Sequence, residues 1–226
     1  MTWAEKGLKQ VAIVNMEEKR AFTVMVTITS DGNLLPIQAI YSGKTPRSCP
    51  SPSSPYHKDL INAGCLIQES GTTTYWSNLR TMKDFVNEIL APYFDQQKEN
   101  LDLPSSQKSL WTIDVWSVHR YKEFQGWMKE MHPTIMIDFV PGGCTGVAQP
   151  CDVGIQRLFK HSIKCSYHED IVSKILSQLE NTKADLVTLD THLGVLRDQS
   201  TRWLWNAYQA VNNKALVKKV LKRNPF

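Results

Sequence analysis

From Ala21 to Ser42 the sequence alternates apolar and polar residues, turns, and alternates again. In AFTVMVTIT, Phe22, Val24, Val26 and Ile28 fall on one side and Thr23, Met25, Thr27 and Thr29 on the other, the period of two that marks an extended strand. SDGN comes next, with the Asp31-Gly32 step that tight hairpins favour, and LLPIQAIYS supplies a second extended run. An antiparallel hairpin is therefore expected over residues 21–42, with KQVAIVN before it as a third, shorter strand. A chain that commits to a hairpin this early must build a sheet.

The elements after the hairpin decide which kind of sheet. Residues 44–56, KTPRSCPSPSSPY, hold Pro46, Pro50, Pro52 and Pro55 among serines and read as a surface loop. From Tyr75 to about Leu101 the apolar residues recur every three or four positions, from Leu79 through Met82, Phe85 and Ile89 to Phe94, which predicts a helix. Ser77 stands where a cap would, and Pro92 should kink the helix or split it. Leu110–Val115 predicts a short buried strand, residues 120–131 a helix burying Phe124, Trp127 and Met128, and TIMIDFV (134–140) another strand. Pro150 sits where a first helical turn tolerates it, and Ile155, Leu158, Phe159 and Ile163 carry that helix onward. The C-terminal segment around Trp203, Leu204, Val211, Val217 and Leu221 is also helical. Hairpin, helix, strand, helix, strand, helices is the order of a mixed α/β sheet flanked by helices, and such sheets place their sites at the carboxyl ends of strands.

Composition narrows the setting. The 226 residues are 42% hydrophobic and 21% charged, with a formal charge of +4, a mild tilt towards anionic partners. The five cysteines form no CxxC pair and fit free thiols in a reducing compartment. No apolar run approaches the roughly 20 residues of a membrane span, and MTWAEKGLKQV lacks the apolar core of a signal peptide.

Two carboxylates stand out. Asp114 leaves the strand in SLWTIDVWSVHR, and Asp152 comes 38 positions later (152 − 114), just inside a helix, after VPGGCTGVAQPC with Gly142, Gly143 and Gly146. Glycines there would let the backbone approach a phosphate closely. Two acids from separate elements suit a hard divalent cation such as Mg2+ or Mn2+. The plainer reading is a capping aspartate at 114 and a helix N-terminal aspartate at 152. His119 could support Asp114 or contact a phosphate, or be a polar residue at a helix start. Asp138 reads as structural. Arg157, Lys160, His161 and Lys164 recur at helical spacing, and Lys44 and Arg47 sit in the proline-rich loop; these basic residues could track a DNA backbone or simply be solvated.

TWAEKGLKQV, EEKRAFTVMVTITSDGNLLPIQAIYSGKT, IDVWSVHR and VPGGCTGVAQPCDVGIQRLFK, from Thr2 to Lys164, together resemble the DDE superfamily endonuclease domain of the pogo, Tigger and centromere-protein-B-like transposases. The most specific pieces are the strand aspartate succeeded by Ser117 and His119, and the element Gln149, Pro150, Asp152, Gly154, Ile155. The resemblance implies an RNase H-like fold over residues 1–170 with a helical extension over 171–226, DNA as partner, a nuclear location and metal-dependent strand cleavage. It matches Asp114 to the family's second catalytic acid and Asp152 to the third, with Mg2+ or Mn2+ as cofactor and His119 beside them. The first acid belongs on a strand upstream of TWAEKG, so the chain is expected to begin after it and to be catalytically crippled. Glu17 and Glu18 lie in a charged turn, and Asp31 is a turn residue. Trp116 departs from the family, where many relatives carry histidine. Two other readings stay open at this point: a domesticated, non-catalytic DNA-binding or scaffolding protein, and an unrelated hydrolase using Cys151 or Ser117. Whether the chain forms a homo-oligomer is also open.

Overall fold

The computed structural model of the chain describes residues 22–115, 117–144, 149–180 and 187–223. The KQVAIVN run, Glu17, Glu18, Trp116 and Gly146 lie outside them. Strands β1 (Phe22–Met25) and β2 (Gln38–Tyr41) pair antiparallel, Phe22 opposite Tyr41 and Met25 opposite Gln38. The hairpin expected over 21–42 forms. At its tip Gly32 adopts φ +96°, and the Asp31 carboxylate accepts hydrogen bonds from the Thr29 hydroxyl and the Asn33 amide. Asp31 is a turn residue, as its sequence context predicts.

The alternation along β1 places its side chains in two different cores. Phe22, Val24, Val26 and Ile28 join Ile37, Ala39 and Tyr41 in one cluster. Met25 and Leu35 point the other way and pack with Phe85, Trp111, Ile113 and Phe124. Period-two patterning makes this unavoidable, because successive side chains leave a strand on opposite faces.

After the loop come α1 (His57–Asn62) and β3 (Leu66–Glu69), the latter parallel to β2 with Gln38 opposite Leu66. The predicted helix starts at Leu79, and its cap is Asn78, not Ser77. The Asn78 side chain accepts from the Thr81 amide at 3.2 Å while the Thr81 hydroxyl accepts from the Asn78 amide at 2.9 Å, a reciprocal capping box. Near Pro92 the helix is distorted but not split: α2 (Leu79–Phe85) widens into a π turn (Val86–Leu90) before α3 (Ala91–Asn100), with helical backbone throughout. Pro92 stands directly after the π turn, where its missing N–H interrupts the helical ladder.

Strands β4 (Ser109–Ile113) and β5 (Ile135–Phe139) run parallel, Ser109 opposite Ile135 and Ile113 opposite Phe139, with α4 (Lys122–Met131) as their crossover. A second π turn (Cys151–Ile155) leads into α5 (Gln156–Leu179), and α6 (Leu193–Val211) and α7 (Lys214–Arg223) complete the chain order. Helix α5 is unbroken through residue 170, and α6 and α7 bury Leu204, Val211 and Val217 against the outer face of β1 and β2. A three-stranded mixed sheet and a two-stranded parallel sheet, flanked by helices, give the mixed α/β architecture of an RNase H-like fold. Among the described residues no helix is long and apolar enough to cross a membrane.

Candidate active site

Strand β4 delivers the first acid. Trp111 and Ile113 are buried and anchor it, and the Val140 amide closes its ladder on the Ile113 carbonyl at 2.9 Å. Asp114 is the next residue, half-buried at the carboxyl end where parallel strands open towards a ligand. Its main-chain carbonyl is taken up by His119, whose Nδ1 lies 2.8 Å away. A carbonyl only accepts, so Nδ1 carries the proton. The chain returns through a 3-10 turn (Val118–Arg120) that buries this imidazole between Trp111 and Phe124, centroids 6.3 and 6.5 Å away. Burial pushes its pKa below the ordinary histidine range, so the ring is neutral at pH 7. His119 is therefore a buried residue whose Nδ1 is already engaged by the main chain.

The second π turn delivers the other acid. Pro150, at φ −56°, fixes the entry, and the Gln149 carbonyl accepts from the amides of both Asp152 and Val153 at 3.1 Å. The turn packs against the C-terminal helix: a Cβ on Gly154 would stand 2.5 Å from a Val220 methyl. Only glycine permits that approach. The half-buried Asp152 carboxyl is pushed above the usual carboxylate range, first by burial and then by the charge of Asp114, with Lys160 opposing. Asp114 and Asp152, from a strand and from a helical turn, thus lie within electrostatic reach of each other.

The remaining candidates separate around this pair. Arg157, Lys160, His161 and Lys164 are all exposed along α5, just after Asp152. Lys44 and Arg47 are exposed on the proline-rich loop, which Asp198 staples to α6 by accepting from the Ser51 amide at 2.8 Å and the Ser54 hydroxyl at 3.0 Å. Asp138 is exposed on β5, opposite Thr112. Gly143 takes φ +81°, and a Cβ there or on Gly142 would meet nothing within 4 Å. The Cys151 thiol donates to the Val26 carbonyl at 3.6 Å and is pushed up to about 12, by burial and then by Asp152. A thiol held protonated is a poor nucleophile, which weighs against a hydrolase built on Cys151.

A divalent cation is tested by the donors present. Two carboxylate oxygen sets suit a hard ion, and their mutual repulsion is what such an ion would relieve. Among the described residues no group of three or more His, Cys, Asp or Glu side chains converges. Two acids are few donors for such an ion, so any ion held here would have to keep much of its water, as Mg2+ commonly does. Gln149 and Gly154 have tasks that sequence reasoning missed: one closes the turn and the other admits Val220. Their fixed spacing to Asp152 is the signal that points to them.

A family model described as DDE superfamily endonuclease matches residues 19–219 of the chain. No significant match is found among curated proteins or solved structures.

Proposed function

The chain belongs to the DDE superfamily of endonucleases, and on that footing we propose that it is a transposase-derived DNA-binding nuclease domain of the pogo and Tigger kind, acting in the nucleus, with Asp114 and Asp152 as its metal-holding acids. What supports this reading is the family match over residues 19–219, with Asp114 just past the end of β4 and Asp152 in the second π turn. Asp114 would bind from the end of β4, and Asp152 from a turn locked by Gln149 and Val220. A magnesium or manganese ion held between them would supply Lewis-acid stabilisation of a phosphate oxygen. Lys160, close enough to oppose the rise at Asp152, would sit beside the scissile phosphate, and Arg157 and Lys164 would track the backbone along α5. Lys44 and Arg47 would add contacts from the loop.

Two carboxylates hold one ion, whereas in-line phosphoryl displacement in such sites commonly employs a pair about 4 Å apart. The chain by itself is therefore expected to bind DNA and to cleave it poorly, which also accommodates a domesticated, non-catalytic role. Plasmid relaxation in magnesium and filter binding across a salt series test both parts. Salt-sensitive binding with little nicking is expected. Failure to bind DNA would overturn the function, and brisk nicking abolished by Asp114→Ala would overturn the inactivity.

A further inference from the structure

The structure assigns His119 as a positioning residue that sets the direction of the Asp114 carboxylate through the main chain, with its Nδ1–H locked on the Asp114 carbonyl. This rests on the reading of Asp114 and Asp152 as a cation site. The β4 ladder ends at Ile113, and the Asp114 carbonyl lies just past it. His119 meets that carbonyl at 2.8 Å. Its ring is 7% exposed, wedged between the side chains of Trp111 from β4 and Phe124 from α4, and packing of this kind leaves no freedom to swing away. A carboxylate two rotatable bonds from its backbone inherits the orientation of that backbone. Groups that orient a ligating side chain from one shell further out change metal affinity by about 10–100-fold when removed.

The geometry also says what His119 does not do. With Nδ1 as donor, Nε2 is a bare acceptor, buried and without a hydrogen-bond partner among the described residues. The imidazole therefore acts by holding a peptide rather than by moving a proton.

Two variants separate positioning from packing. In His119→Asn the amide nitrogen replaces Nδ1 and keeps the donor; His119→Leu fills similar space and loses it. Manganese titration of the full chain by electron paramagnetic resonance should show affinity within about threefold of the parent for the asparagine variant, and about 10–100-fold weaker for the leucine variant. A folded leucine variant that binds manganese like the parent would overturn the assignment. Long-range proton–nitrogen NMR on the parent reads the same claim without metal: His119 should be the Nδ1–H tautomer, its signal identified by its loss in the asparagine variant. An Nε2–H tautomer would overturn the assignment whatever the metal result. A parent that takes up no manganese would sink the cation site alone, leaving the tautomer to decide the hydrogen bond.

Discussion

At Asp152 half-burial, and after it the charge of Asp114, raise the carboxyl above its ordinary value, with Lys160 opposing them. A group whose folded pKa is raised stabilises the fold fully below its unfolded value and loses that contribution as pH rises through the folded value. At neutral pH without metal, ionised Asp152 is therefore a strained group. Asp152→Asn should raise the thermal midpoint at pH 7, and the advantage should fade as pH falls towards 3.8. Melting curves across pH check the sign; a lower midpoint at pH 7 would refute it. Cysteine reactivity gives a second residue-level prediction. Cys144 and Cys165 are exposed, whereas Cys151 is pushed up to about 12. Iodoacetamide on the folded chain at pH 8 should label the first two and spare Cys151, as peptide mass spectrometry will show.

At the scale of elements, the turn carrying Asp152 depends on how α7 lies against it. Gly154→Ala would drive a methyl into Val220, a β-branched side chain with little rotamer freedom. Overpacking of this kind costs about 1–3 kcal/mol, and Val220→Ala in the same chain should recover much of it. Denaturant melts of the single and double variants measure the coupling. The elements legible in the sequence are those whose apolar residues recur often enough to show: the hairpin, α2 with α3, α4, α5, α6, α7, and the strands before Asp114 and after Pro133. Strand β3 was not legible, because Leu66 and Ile67 are its only apolar residues and two residues have no period. The Asn78 cap was hidden for a different reason. Ser77 and Asn78 both suit the position, and only the extended backbone of Asn78, φ −137° and ψ −178°, selects it.

Over the whole molecule, the candidate site was legible as two acids that the family resemblance assigns to one metal. Asp114 announces itself as a strand end and Asp152 as a residue just past Pro150; their approach depends on how β4, the second π turn and α7 pack, which no local pattern encodes. Support of Asp114 by His119 was legible as a possibility, but not that it runs through the Asp114 carbonyl, since every residue offers a main-chain acceptor. The exposed stripe on α5 lets the DNA reading be tested at this scale. Each neutralised phosphate contributes about 0.9 to the slope of log K against log salt. Replacing Lys160 and Lys164 with alanine should lower that slope by about 1.8, and an unchanged slope would take α5 out of the interface.

The central claim, that Asp114 and Asp152 share one cation, is met most directly by manganese titration of a double-mutant cycle. One ion per chain is expected in the parent, with Asp114→Asn and Asp152→Asn each removing most of the affinity and the double variant losing little more. Losses that simply add, or a single variant that binds as the parent does, would mean that the two carboxylates do not meet on one ion.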